Sequence, residues 1–199
     1  TRSPSTPTGS LESPVSPPLF ALGAGARFVA RAIDTAQKQL IEVMKRARSH
    51  KGASFVEIFQ NCIVYNDDVF GNFTAKDFAQ ERQIHVEHDK PLLFGRGQGL
   101  RLRPGTLELE VVTIGENDVR EEDILVHDET SRTLATMLAA MTPPEMPVAL
   151  GVIYCSPAES FEKMALAPMS EGLTSGGERP SAPSLNALLR RGHTWTVAG

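Results

Sequence analysis

Cys62 is the residue whose type and place most directly offer chemistry. It follows Ser54-Phe55-Val56-Glu57-Ile58-Phe59-Gln60, a run rich in aromatic and β-branched residues that predicts a strand. A residue just past the carboxyl end of a parallel strand stands where open α/β sheets place their ligand sites. One thiolate cannot hold an iron–sulfur cluster, which takes about four cysteine ligands, and the other cysteine of the chain, Cys155, ends a later apolar run and reads as structural. The bland alternative for Cys62 is a small buried hydrophobe, since free cysteine is among the most buried residue types. Glu57, inside the apolar strand, must be paired or protonated if buried, and such groups concentrate at functional sites. Its structural alternative is an ion pair with Arg27 or Arg31 on the neighbouring strand. Asn66 and Asp67, just beyond Cys62, either close a turn or reach a ligand.

Other constellations carry less. His85-Val86-Glu87-His88 puts its histidines on opposite faces of a strand, and the helical zinc signature needs two histidines four apart, so zinc is not expected. Gly95, Gly97 and Gly99 lie between two strand candidates with no helix following, which predicts a hairpin loop rather than a phosphate cradle. Lys38, Lys45, Arg46, Arg48 and Lys51 form a basic cluster, read as a solvated face or as a surface for an acidic partner. No serine, histidine and aspartate set stands out as a triad, and no catalytic residue is assigned.

The elements that must position Cys62 come from the surrounding pattern. Phe28, Val29 and Ala30 predict a short strand. Asp34 reads as an N-cap, with Leu40, Val43, Met44 and Ala47 following at helical spacing and Glu42 placed to pair with Arg46. Gly52 ends that helix, and the strand at 54–60 completes a strand–helix–strand crossover, which pairs its strands in parallel and buries the second on both faces. From about residue 70, strand candidates at 83–87, 91–94, 99–102 and 107–114 are separated by turn signals and predict an antiparallel sheet, with Leu107, Leu109 and Val111 on a dry face. A helix capped by Asp128 carries Leu134, Met137, Leu138 and Met141 on one face and stops at Pro143-Pro144. An apolar strand follows at 148–154, then a capping box at Ser156-Pro157-Ala158-Glu159 opens a helix to about Leu166. Residues 168–183 read as a linker, followed by Leu185, Leu188 and Leu189 and a tail in which Trp195 is expected to dock.

Composition bounds the function classes. The 199 residues are 41% hydrophobic and 22% charged with a net charge of −4, an ordinary globular balance. Two cysteines, and no apolar run approaching the roughly 18 residues of a membrane span, predict a soluble protein of a reducing compartment. With nine Phe, two Tyr, one Trp and an acidic balance, no footprint for nucleic acid is expected. Residues 1–50 hold seven basic and three acidic side chains and 101–150 four and ten, an asymmetry that predicts two structural parts. The chain opens on Thr1 and five prolines and five serines fall within its first eighteen residues, which reads as a loop that has lost what preceded it.

Several segments match a known family. The run Gly52-Ala53-Ser54-Phe55-Val56-Glu57-Ile58-Phe59-Gln60-Asn61-Cys62, continuing to Tyr65-Asn66-Asp67, resembles the beta subunits of 2-oxoacid:ferredoxin oxidoreductases, particularly the 2-oxoglutarate type. Phe28-Val29-Ala30-Arg31, His88-Asp89-Lys90-Pro91, Leu125-Val126-His127-Asp128, residues 147–153 and the terminal 188–195 follow in the family's order. The resemblance implies an α/β fold: residues 1–66 as the C-terminal part of a thiamine-diphosphate-binding domain with a parallel sheet, 67–167 as a smaller mixed α+β domain of the beta subunit, and 168–199 as linker and C-terminal arm. It implies thiamine diphosphate, Mg2+ and a 4Fe-4S cluster as cofactors, with Cys62 as a cluster ligand, Glu57, Asn66 and Asp67 as cofactor-binding residues, and most other ligands upstream of this piece. An alpha subunit, ferredoxin, coenzyme A and a 2-oxoacid are the implied partners, in the cytoplasm, for oxidative decarboxylation to an acyl-CoA. Alone, this piece is expected to be inactive. The rival expectation is an assembly module that keeps the fold without cofactors. The family usually continues Asn-Asp with Gly-Ala-Phe, where this chain has Asp68-Val69-Phe70, which puts the turn geometry in question; His193 stands where an acidic residue is common.

Overall fold

The computed structural model describes residues 7–9, 11–64, 67–174, 187, 189 and 190, with 168–174 as backbone only. Two compact units divide it, Thr1–Ala158 and Glu159–Gly199. The first is built on an apolar strand, Phe28–Ile33 (β1), every residue of which is buried. The chain then forms Gln37–Ser49 (α2) and returns as Phe55–Phe59 (β2), parallel to β1 with Ile33 opposite Phe59, as the crossover pattern requires.

Further along come Gly71–Thr74 (α3), Lys76–Arg82 (α4), Gln83–Val86 (β3), Leu93–Phe94 (β4), Gln98–Leu102 (β5), Leu109–Thr113 (β6), Arg132–Ala140 (α5) and Val148–Cys155 (β7). Pro17–Gly23 (α1), before β1, is the short helix that opens the unit. The main sheet has the order β2-β1-β7-β3: β1 and β2 are parallel, β3 and β7 are parallel, and β7 runs antiparallel to β1. The unit is thus α/β with a mixed sheet. All eight residues of β7 are buried, which is why it reads as an unbroken apolar run. Gly151 within it has φ +119, and a Cβ there would stand 2.6 Å from the Val86 carbonyl oxygen of β3. β4, β5 and β6 form the separate antiparallel sheet, with β4 and β5 joined through Gly95-Arg96-Gly97 as a hairpin.

Alternation along β1 divides the core. Phe28 and Ala30 pack with Val43 of α2 and with Val152 and Cys155 of β7. Val29 faces the opposite layer, where Leu22, Leu134, Leu138 and Ile153 gather under the opening helix and α5. Burying a side chain such as Phe28, which is wholly inaccessible, contributes about 2–3 kcal/mol. The expected division at residue 66 does not fall at a break in this packing, because β7 from the later segment is the hydrogen-bonded neighbour of β1 from the earlier one.

Several local expectations are corrected. β2 is half-buried rather than covered on both faces, with Ile58 43% exposed, because it is the edge of the sheet. Ala36, not Asp34, occupies the N-cap of α2, and no side chain caps it; Met44 lies exposed, leaving Val43 as the buried residue of the helix. Glu42 pairs with Lys45 at 2.7 Å, while Arg46 reaches across to Glu129 at 2.7 Å. Ser131, not Asp128, caps α5 through a bond from the Leu134 amide, and the Asp128 carboxylate instead accepts from the Thr130 amide and hydroxyl. Leu107 is exposed, so the dry face of β6 is less clean than its alternation implies.

In the second unit, Phe161–Thr174 (α6) starts later than the capping box predicts, and Ser160 Oγ accepts from the Lys163 amide. It continues past Pro168, where a linker was expected. Leu185, Leu188 and Trp195 lie outside the described residues. No helix among the described residues is long and apolar enough to cross a membrane.

Candidate functional site

The parallel strands β1 and β2 end side by side, and the Asp34 amide donates to the Phe59 carbonyl at 3.1 Å across their carboxyl ends. Cys62 emerges three residues later and is exposed, not the small buried hydrophobe of its bland reading. Beneath the turn, Phe59, Phe70 and Phe73 meet edge to face or tilted, with ring centroids 5.1, 5.1 and 5.8 Å apart. Phe73 is buried against Ile33, Val148 and Leu150, so the aromatic trio anchors the loop to the sheet. A cavity of about 170 Å³ opens there, lined by Asp34, Thr35, Phe59, Asn61, Asp68 and Thr74 among others.

Asn61 and Asp67 fix the ends of the turn. Asn61 Nδ2 donates to Asp67 Oδ1 at 2.8 Å, and the Asp68 amide donates to both Asn61 Oδ1 and Asp67 Oδ1 at 2.9 Å. Asp68 itself has φ +58, the left-handed conformation for which glycine is the usual choice and which aspartate tolerates better than most residues. The departure from the family's Gly-Ala-Phe pattern is therefore absorbed without losing the turn. Asp68 then lies over Gly71, the first residue of α3, whose missing Cβ leaves room for the carboxylate. Tyr65 and Asn66 lie outside the described residues.

Glu57 is engaged by Arg31, its register partner on β1, with Nε 2.6 Å from Oε2; their side chains are 17% and 8% exposed. Arg31 also donates to the Ala139 carbonyl at 3.3 Å and lies over the Phe59 ring at 5.7 Å. The pair thus ties β1, β2 and α5 together. Pattern reasoning anticipated the Arg31 pairing, but not Asn61 or the phenylalanine trio. The partners of Asn61 lie six and seven residues along the chain and those of Phe59 eleven and fourteen, beyond any local periodicity.

Elsewhere, Cys155 is buried with its Sγ 3.9 Å from His50 Nδ1, and burial pushes its thiol up, which disfavours the thiolate a metal would need. With Cys155 buried, Cys62 is the one exposed thiol, where an iron–sulfur cluster takes about four cysteine ligands. Among the described residues no group of three or more His, Cys, Asp and Glu is placed to hold a metal ion. His127 is fully buried; its Nε2 donates to the Val152 carbonyl at 2.9 Å, and burial lowers its basicity. A larger groove of about 590 Å³ beside α2, lined by Lys38, Gln39, Val43, His85 and Leu150 among others, contains none of the predicted site residues.

No family model matches the sequence. The 2-oxoglutarate oxidoreductase subunit KorB of Mycobacterium tuberculosis is 35% identical over 199 residues, covering 97% of this chain and 51% of the relative. Subunit beta of 2-oxoacid:ferredoxin oxidoreductase 1 from Aeropyrum pernix is 35% identical over 85 residues, 43% of this chain and 25% of the relative. A solved structure of 2-oxoglutarate:ferredoxin oxidoreductase from Magnetococcus marinus, with 2-oxoglutarate, coenzyme A and succinyl-CoA bound, matches with a TM-score of 0.57 at 23% identity. That match covers 92% of this chain and 47% of the solved one, and it supports the fold. The chain spans about half the length of the KorB relative it matches. The chain is thus similar along nearly its whole length to the 2-oxoglutarate oxidoreductase subunit KorB, and over 43% of its length to a beta subunit of a 2-oxoacid:ferredoxin oxidoreductase.

Proposed function

We propose that this chain serves as part of the beta subunit of a 2-oxoacid:ferredoxin oxidoreductase of the 2-oxoglutarate type. The observation that carries the reading is Cys62, exposed on a hydrogen-bonded turn at the carboxyl ends of two parallel strands. In the assembled enzyme it supplies one thiolate to a 4Fe-4S cluster, whose remaining ligands come from outside this chain. Thiamine diphosphate with Mg2+ supplies carbanion stabilisation for decarboxylation when bound, and the cluster supplies the electron path to ferredoxin. Coenzyme A takes the acyl group, and an alpha subunit completes the site.

The role of this chain's own residues is positional. Arg31 and Glu57 hold β1 and β2 in register, and Asn61, Asp67 and Asp68 shape the turn that presents the thiol. Asn66, outside the described residues, is assigned by the resemblance as a cofactor-binding support. Residues 1–66 correspond to the end of the thiamine-diphosphate domain and 67–167 to the following domain, a boundary of ancestry that the shared sheet overrides in packing. The rival reading, an assembly module without cofactors, takes Cys62 as a buried core residue, and its exposure speaks against that. The test is to coexpress the reading frame containing this chain with an alpha subunit and assay 2-oxoglutarate-dependent reduction of ferredoxin with formation of succinyl-CoA. Activity with bound thiamine and iron supports the reading; a folded complex lacking both supports the rival.

A further inference from the structure

We infer that the outer face of α2 is a docking surface for an acidic protein. The inference rests on the reading proposed above, under which that protein is the ferredoxin, and adds the place where it sits. Four cations, Lys38, Lys45, Arg46 and Arg48, share this 13-residue helix with one acid, Glu42, in a chain whose net charge is −4. Val43 is the buried residue of the helix, so the 3.6-residue turn carries Lys38, Ile41, Lys45 and Arg48, spaced three, four and three apart, to the opposite, exposed side. Arg46 is drawn away from this face to Glu129 at 2.7 Å. Lys45 meets Glu42 with the two side chains 67% and 70% exposed, a solvent-weakened pair that a partner can displace. Lys38 and Arg48 have no ion pair among the described residues. Helix stability does not account for both. Arg48, in the last turn, complements the helix dipole, but Lys38 stands in the first turn, where the dipole disfavours a cation and no acidic residue offsets it. Ile41 is 52% exposed among these cations, with Met44 beside it at 48%. An apolar centre with a charged rim is the anatomy of a protein interface, and a rim of one sign selects a partner of the other. The helix has no aromatic ring on which a base could stack, which favours a protein over a nucleic acid.

The experiment uses the product of the reading frame containing this chain, coexpressed with the proposed alpha subunit, and measures equilibrium binding of an acidic ferredoxin across a salt series. With Lys38→Glu, Lys45→Glu and Arg48→Glu combined, affinity is expected to fall about thirtyfold at low salt, chiefly through slower association. The gap from the parent should close at about 1 M salt, where the Debye length is roughly 3 Å. Lys76→Glu, Lys90→Glu and Arg96→Glu combined, an equal change of net charge on exposed residues elsewhere, should stay within about threefold of the parent. Lys38→Gln, Lys45→Gln and Arg48→Gln combined, a milder change to the helix, should lose about fivefold, with circular dichroism and the thermal midpoint checking that each variant is folded. An affinity unmoved by both α2 sets overturns the docking surface, as does an equal loss in the control set. A parent complex that binds no ferredoxin overturns it too, and so does an oligonucleotide held by the same cations more tightly than ferredoxin. Reduction of methyl viologen with 2-oxoglutarate needs no acidic partner and judges the enzyme reading separately: its absence from the parent defeats that reading, while the binding series still decides the surface.

Discussion

Arg31 Nε lies 2.6 Å from Glu57 Oε2, and the two residues are direct register partners on the parallel strands β1 and β2. Both side chains are mostly removed from water, and the second arm of the guanidinium is spent on the Ala139 carbonyl of α5. A charge so placed is costly to leave alone. Arg31→Met or Glu57→Leu singly should cost about 3–5 kcal/mol, read as a lower urea midpoint. The double variant, in which neither charge remains, should recover most of that loss. Additive losses would show that the pair does not act as a unit.

His127 links stability to pH. Its ring is buried, its Nε2 donates to the Val152 carbonyl, and its Nδ1 has no hydrogen-bond partner among the described residues; burial lowers its pKa below the ordinary 6.5. The unfolded chain therefore binds the proton more readily than the folded one. Stability from the neutral ring is fully present above 6.5 and declines as pH falls below it towards the folded-state value. Denaturant unfolding between pH 5 and 8 should show this fall, and His127→Gln, whose amide can still donate to Val152, should flatten it. An equal slope in H127Q would assign the pH dependence to other groups.

Gly71 and Asp68 are coupled by space. A Cβ at position 71 would collide with the Asp68 carboxylate, so Gly71→Ala should destabilise by about 1 kcal/mol. In the background of Asp68→Gly the collision disappears and the alanine should be tolerated. A double-mutant cycle with no coupling would contradict the placement of Asp68.

Capping offers a simple contrast. Ser131→Ala should cost about 1 kcal/mol, because Ser131 Oγ accepts from the Leu134 amide at the start of α5. Asp128→Ala should cost less, since Asp128 bonds only within its own turn, to Thr130. The reverse order in thermal midpoints would restore Asp128 as the cap.

Much of the scaffold was legible before the structure because it depends on local pattern. The apolar runs of β1 and β7, the crossover through α2 and the alternatives for Glu57 all follow from periodicity or from an awkward residue type in an apolar strand. Misplaced details depend on distant partners. Glu42 had two basic residues within helical reach after it in the chain, and the one further along was drawn off by Glu129, eighty-three positions away. β2 looked doubly buried because its composition is that of a core strand; only the strand order reveals it as an edge. The placement of Cys62 was foreseeable from the strand before it, but the hydrogen bonds of Asn61 to Asp67 and Asp68 were not, since Asn61 and Asp67 announce themselves only as common turn residues.

The role of Cys62 admits the most direct test. Cluster iron should be measured by elemental analysis and by electron paramagnetic resonance in the product of the reading frame containing this chain, coexpressed with the proposed alpha subunit, as the parent and as Cys62→Ala. Loss of the cluster iron and its reduced-state signal in the variant, with Cys155→Ala retaining both, is the expected result. Full iron and undiminished ferredoxin reduction in Cys62→Ala would contradict the account.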